Sequence, residues 1–411
     1  MSKTAVIIGA GHAGVQAAAS LREYGWDGRV LLVNDEDRLP YERPPLSKTF
    51  DGENAIVNLR PQNFYDDKNI ELVMGSAATA LDAQAKTVTL ADGQVLAYDI
   101  CIAATGSSAL MVPPFTESAL PGIYALRNAP DEAALRQRVE DGSLKRLMII
   151  GSGFIGLETA AALSSSLDHI RVVDMAPAAM TRTTHEGIAA HCVESARALG
   201  VKFSFQNKVE EMQAAGGGGL DISQTDGTRE QVDAVLVSVG ASPNDQLFVD
   251  AGLCQPRQLT ADANSMVAPD LYAIGDMAMA PHPLFDDPAP VRLESVDYAV
   301  LQAKQAAAHI CDKPSPRVMA PWFWSNQGMN RLQMVGIKPH AVRWVVRETS
   351  DGNGGLPIAT ALGIDAQGRL AVAQCLNNAK DFAASRKFWR HEIKVSDDEL
   401  TDPGLALKEA F

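Results

Sequence analysis

The chain has 411 residues, of which 46% are hydrophobic and 21% charged, and its 36 basic and 50 acidic residues give a formal charge of −14. That is globular composition with length for two or three domains, which excludes wholesale disorder, and the acidic balance argues against a nucleic-acid partner, which would need a basic face. No apolar run approaches the roughly 18–20 residues of a membrane span, and the start Met1-Ser2-Lys3-Thr4 lacks the apolar core of a signal peptide, so a soluble, cytoplasmic protein with no membrane partner is expected.

A short apolar strand, Thr4 to Ile8, runs into Gly9-Ala10-Gly11-His12-Ala13-Gly14, a G-x-G-x-x-G. Val15 to Tyr24 favours helix, and a second strand, Arg29 to Val33, ends in Asn34-Asp35-Glu36. This completes a βαβ dinucleotide-binding unit. Ile70–Met74, Lys86–Leu90 and Ile100–Ala104 read as strands, with a hairpin turn at Asp92-Gly93. The unit then recurs: Arg146 to Ile150, Gly151-Ser152-Gly153-Phe154-Ile155-Gly156, an Ala-rich helix, and Arg171-Val172-Val173 ending in Asp174. Gly216–Gly219 reads as a hairpin tip, because no helix follows it, and Ala234–Val239 as a strand. From Pro321 the character changes, with candidate strands at Arg331–Val335, Ala341–Arg347, Ile358–Ile364 and Leu370–Gln374 and a helical tail from Asp381. The expected fold class is α/β, with two Rossmann-like domains and a C-terminal α+β domain.

Each fingerprint glycine has its own steric reason: a tight turn, close approach of a pyrophosphate, and close helix–strand packing. The pyrophosphate then meets the free N–H groups and macrodipole of a helix N-terminus. Asp174 would accept a ribose 2′-hydroxyl and repel a 2′-phosphate, so NADH is expected over NADPH, although Arg182 lies a little further on. In the first unit Asn34 stands at the strand end, which makes Asp35 the candidate for the other adenosine ribose. The five cysteines (Cys101, Cys192, Cys254, Cys311, Cys375) lie far apart with no C-x-x-C, and the eight histidines are scattered, so neither a redox dithiol nor a metal site is expected. Two dinucleotide folds without a catalytic thiol suggest flavin plus nicotinamide.

The fragments Tyr41-Glu42-Arg43-Pro44-Pro45-Leu46-Ser47-Lys48, Ala103-Ala104-Thr105-Gly106, Tyr272-Ala273-Ile274-Gly275-Asp276, Arg292-Leu293-Glu294-Ser295-Val296 and Pro321-Trp322-Phe323-Trp324-Ser325 fall in the order of one family. The chain resembles, over nearly its whole length, the FAD- and NADH-dependent ferredoxin reductases of aromatic-ring dioxygenase and putidaredoxin systems. The resemblance implies an FAD-binding domain at 1–110 and 243–318, an NAD-binding domain at 111–242, and a C-terminal domain at 319–411. It assigns Gly9, Gly11, Ala13 and Gly14 to the FAD pyrophosphate, His12 to the FAD site beside them and Asp35 to the adenosine ribose. Lys48 would sit beside the flavin ring, with Arg43 and Pro44 shaping that face, Ala78 at the adenine and Arg127 near the isoalloxazine or ribityl chain. Ala104, Thr105, Gly106, Gly275, Asp276, Glu294 and Val296 complete the FAD set, with Asp276 on the ribityl or phosphate region and Val296 at the pyrimidine end. Trp324 would lie at the flavin edge near a ferredoxin dock. Gly151, Gly153, Phe154, Ile155, Gly156, Asp174 and Gly240 would hold NAD, and Glu158 would meet the nicotinamide carboxamide. Lys48, Glu158 and Trp324 are thus the candidate catalytic residues. Asn326 departs from an aspartate common in relatives, and Gln327-Gly328-Met329-Asn330 differs around the expected docking edge.

Taken by themselves, the residues leave plainer roles open: Lys48 as a solvated lysine, Glu158 as a helix-face carboxylate, Trp322 and Trp324 as packing aromatics. The implied reaction is hydride transfer from NADH to FAD, then single electrons to a [2Fe–2S] ferredoxin that serves a terminal oxygenase, Rieske or cytochrome P450. A monomer or homodimer is expected. The cluster Arg386, Lys387, Arg390, His391 and Lys394 is one candidate dock for an acidic ferredoxin, with Lys48 and Arg331 as others. The competing readings are a flavin peroxidase or oxidase, which would need a reactive cysteine near Arg43–Lys48 where none stands, a rubredoxin reductase, and an NADH-sensing flavoprotein switch of the apoptosis-inducing-factor kind.

Overall fold

The computed structural model describes residues 3–50, 56–116, 120–287, 289–349 and 355–411. They pack as two compact units: Met1–Arg43 with Ile56–Ser108 and Ala241–Met319, and Pro44–Ala55 with Ala109–Gly240 and Ala320–Phe411.

The first unit is built on a six-stranded sheet whose parallel core places Thr4–Ile8 between Arg29–Val33 and Ile100–Ala103, with Ile70–Val73 outside the former and Leu271–Ala273 outside the latter. Ala5 and Ile7 face one side and Val6 and Ile8 the other, and all four are buried. Burial on both faces is why these strands read as unbroken apolar runs. One face carries the fingerprint helix His12–Glu23 packed on Val296–Ile310, where alanines (Ala17, Ala18, Ala303, Ala306) permit close approach. Asp92-Gly93 turns the antiparallel pair Thr87–Leu90 and Val95–Ala97.

The second unit repeats the plan in a five-stranded parallel sheet, with Arg146–Ile150 between His169–Asp174 and Ala234–Val237. Gly216–Gly219 does cap a hairpin, Val209–Ala214 to Leu220–Gln224. The C-terminal residues form a five-stranded antiparallel sheet in the order Trp322–Gln327, Asn330–Gly336, Leu370–Leu376, Ile358–Ile364, Arg343–Thr349. The helical tail is shorter than expected. Its main helix is Ala379–Phe388, ending where Trp389 turns inward to donate its indole N–H to Ala371 O at 2.7 Å and Arg390 adopts φ +66°. Among the described residues no helix is long and apolar enough to cross a membrane.

Candidate functional site

Within each unit the fingerprint turn lies at the carboxyl edge of the parallel strands, where open α/β sheets bind ligands. In the first unit Gly9 has φ +101°, and a methyl group there would sit 2.4 Å from Ala104 O. One on Gly14 would sit 1.9 Å from Gly9 O, whereas one on Gly11 would meet nothing within 4 Å. The second unit reproduces this: Gly151 also has φ +101° with Ser238 O at 2.5 Å, Gly156 has Gly151 O at 2.2 Å, and Gly153 faces open space. Closed at the first and third glycines and open at the second, both turns leave room for a pyrophosphate at a helix start. Gly11 and Gly153 are themselves the N-caps of their helices and offer no capping side chain. The donor sets therefore fit two dinucleotides.

Of the residues expected around FAD, some meet the first turn directly and the others are placed by contacts of their own. Gly275 packs on Ala13, and its N–H donates to Gln302 Oε1 at 2.8 Å. Asp276 accepts from Ser107 Oγ at 3.1 Å. Thr105 is locked by Asn244, its hydroxyl donating to Asn244 O at 2.7 Å while Asn244 Nδ2 returns a bond to Thr105 O at 2.9 Å. Val296 opens the helix capped by Ser295, and exposed Glu294 precedes the cap. Asp35 is exposed one position past buried Asn34. Glu36 accepts from Tyr41 at 2.8 Å and pairs with Arg43 at 3.5 Å, which explains how Arg43 is held. Ala78 starts an antiparallel strand opposite Leu90.

In the second unit, the short helix Pro44–Ser47 presents Lys48 to the fingerprint helix Phe154–Leu163. Lys48 Nζ donates to Glu158 Oε2 at 2.7 Å and to Pro44 O at 2.7 Å. Ser47, 2% exposed, donates its hydroxyl to the same Glu158 oxygen. The other oxygen, Oε1, accepts from Ser325 Oγ at 2.7 Å and Asn326 N at 3.3 Å. Four donors meet the roughly four acceptor sites of a carboxylate, so a carboxamide N–H reaching Glu158 must replace one of them. Trp324 points to the opposite face of its strand and stacks on Trp322, centroids 5.2 Å apart, with the Arg386 guanidinium 5.1 Å from the Trp322 ring. The structure thus joins Lys48 to Glu158 and sets Trp324 on another face. Arg127 lies just before the helix Ala129–Glu140, its N–H donating to Asp131 Oδ2 at 2.9 Å.

Asp174 is more committed than its strand-end position suggests. Its Oδ2 accepts from Ser152 N at 2.7 Å and Ser152 Oγ at 2.5 Å, and its Oδ1 from Ala176 N at 2.8 Å. One acceptor site of about four is left. Gly240 has φ +127°, with Arg182 Nη2 3.7 Å from where its side chain would start. Ile155 is 40% and Met175 71% exposed, apolar surface beside the turn that a nucleotide would cover. Sequence reading passed over Met175, Ser152, Ser47, Ser325 and Asn244. Ser47 and Ser325 at least stood inside the two most distinctive fragments.

The family model described as pyridine nucleotide-disulphide oxidoreductase matches residues 3–303, and the reductase C-terminal model matches 322–411. The chain is 34% identical to rhodocoxin reductase of Rhodococcus erythropolis, over 99% of this chain and 94% of that protein. It is 32% identical to the ferredoxin–NAD(+) reductase component of the anthranilate 1,2-dioxygenase system of Burkholderia cepacia, over 98% of each. The putidaredoxin reductase of a covalent putidaredoxin reductase–putidaredoxin complex superposes with a TM-score of 0.90 at 30% identity, over 99% of this chain and 98% of that one.

Proposed function

This chain belongs to the pyridine nucleotide-disulphide oxidoreductase family, and from that membership we propose that it is an FAD-containing ferredoxin reductase. It oxidises NADH and passes electrons singly to a [2Fe–2S] ferredoxin that feeds an oxygenase, and we assign it to the cytoplasm. Bound FAD supplies the conversion of a two-electron donor into a one-electron source. The observation that carries the reading is the pair of matched glycine turns, each closed at its first and third glycine and open at its second.

We assign FAD to residues 1–110 and 243–318 and NADH to 111–242, with 319–411 as the C-terminal domain. Gly9, Gly11 and Gly14 cradle the FAD pyrophosphate, while Thr105, Gly275 and Asp276 border it. Gly151, Gly153 and Gly156 cradle that of NADH, with Ile155 packing on the nucleotide and Asp174 offering its remaining acceptor site to the ribose. Lys48 contributes a fixed cation where negative charge develops on electron uptake, and such a preorganised charge lowers the barrier without reorganisation during the reaction. Glu158 holds that cation in place. Neither a side-chain nucleophile nor a thiol is needed.

The test is anaerobic stopped-flow reduction of the purified protein by equal NADH and NADPH, read in the flavin band, followed by addition of a [2Fe–2S] ferredoxin. Rapid bleaching by NADH, at least tenfold slower bleaching by NADPH (about 1.4 kcal/mol), and reoxidation by the ferredoxin are expected, because a retained carboxylate at the ribose repels a 2′-phosphate. A colourless protein, or a flavin that NADH leaves oxidised, would defeat the reading.

A further inference from the structure

The contact between the strand Trp322–Gln327 and the helix Phe154–Leu163 has a matched register. Phe323 meets Phe154 with centroids 4.7 Å apart, Ser325 meets Glu158, and Gly328 at the hairpin tip lies against Ala161. Residues 154, 158 and 161 form one helix face, and residues 323, 325 and 327 form one strand face. From 154 to 158 the helix rises about 6 Å and from 323 to 325 the strand rises about 6.8 Å, so these two contacts stay nearly in step before the chain turns at Gly328. A slip of one residue would replace Ser325 with Trp324 or Asn326 opposite Glu158.

Ser325 is fully buried, and Gln327 Nε2 donates to its hydroxyl at 3.2 Å, which orients that hydroxyl's own proton toward Glu158. The two oxygens of the carboxylate are thereby divided: Oε1 belongs to the C-terminal sheet and Oε2 to Ser47 and Lys48. Glu158 is 3% exposed, so neither half of this arrangement is replaced freely by water.

We propose that Ser325 is a positioning residue: it fixes the rotation of the Glu158 carboxylate and so the place of the Lys48 ammonium. The C-terminal domain, on this account, completes the ion pair that serves electron uptake. This rests on the reductase reading for what Lys48 does, but not for where Lys48 is held.

Ser325→Ala removes only an oxygen atom from a buried strand position and leaves the Asn326 N–H, so the fold should persist. In the protein as purified, reductive methylation read by peptide mass spectrometry should label Lys48 about threefold faster in Ser325→Ala than in the parent, because a hydrogen bond restraining its partner is gone. Flavin reduction at saturating NADH should slow about tenfold, while the NADH dissociation constant changes less than about twofold. Ser325→Thr, which restores the hydroxyl, should return both toward the parent. Unchanged labelling together with an unchanged rate would overturn the proposal, as would a rate loss matched by an equal loss of NADH affinity. A parent protein that NADH fails to reduce defeats the reductase reading alone, and the labelling result still decides the role of Ser325.

Discussion

A methyl group at Gly156 would sit 2.2 Å from the Gly151 carbonyl oxygen and 2.9 Å from Ser238 Oγ, and one at Gly14 would sit 1.9 Å from the Gly9 carbonyl oxygen. In each case backbone must move, widening a turn proposed to receive a pyrophosphate. Gly156→Ala should keep its flavin and lose NADH affinity by at least about tenfold, whereas Gly14→Ala should be purified with little flavin. Flavin-to-protein absorbance ratios and NADH titrations separate the two, and equal behaviour of both variants would contradict the division of cofactors. These glycines were legible in the sequence because a positive φ or a carbonyl in van der Waals contact admits only one residue type. The Lys48–Glu158 pair was not, because the two residues lie 110 positions apart. Asp174 was legible as a strand-end acid, but its bonds to Ser152 depend on a loop geometry that strand-end position alone does not give.

Elements with one dominant local signal were found closely. Ile358–Ile364 has the bounds its apolar pattern suggests, and Asp92-Gly93 and Gly216–Gly219 both turn hairpins. The tail misled because Ala, Arg and Lys after Asp381 favour helix, whereas burial of Trp389 ends the helix Ala379–Phe388. That helix carries Arg386 and Lys387 in its last turn, Arg386 over the Trp322 and Phe382 rings and Lys387 exposed. A cation over a ring gains about 0.5–1 kcal/mol at an exposed site; Lys387 Nζ also lies 5.1 Å from the Phe388 ring, but the residue is exposed, so its charge still faces solvent and can steer an acidic partner. Lys387→Glu should leave NADH-driven flavin reduction unchanged and lower the second-order rate of ferredoxin reduction several-fold at low salt, with the difference shrinking as the Debye length falls from about 10 Å at 0.1 M toward 3 Å at 1 M. A salt-independent difference would remove this helix from the docking surface.

At the scale of the molecule, the family's name includes disulphide chemistry, yet all five cysteines are free. Burial pushes the Cys192 thiol up to about 12 and those of Cys101 and Cys375 higher still, and it raises Cys254 and Cys311 as well. A raised thiol pKa means that the thiolate, the form that reacts, is scarce near neutrality. Iodoacetamide at pH 7.5 should therefore leave NADH-to-ferredoxin turnover within about 20% of its starting value, as assayed after removal of the reagent. Inactivation in proportion to one alkylated cysteine would restore a thiol to the mechanism. The formal charge of −14 hides a local basic helix, because a sum carries no positions.

The helix His12–Glu23 finds its packing partner in Val296–Ile310, about 280 residues later, and the first compact unit closes only with a segment running to Met319. On a ribosome adding roughly 5–20 residues per second, the opening βαβ unit waits about 15–60 s for that partner. During the wait its alanine face is exposed, while the segment 109–240 emerges with both flanks of its own parallel sheet already made. The parallel sheet of 109–240 can thus form before the opening unit meets its helix partner, although its helix Phe154–Leu163 waits in turn for the strand Trp322–Gln327. On the proposed assignment of FAD to the first unit, flavin capture becomes a late event in biogenesis, and a chain released early would carry an apolar N-terminal fragment that invites chaperone binding and proteolysis.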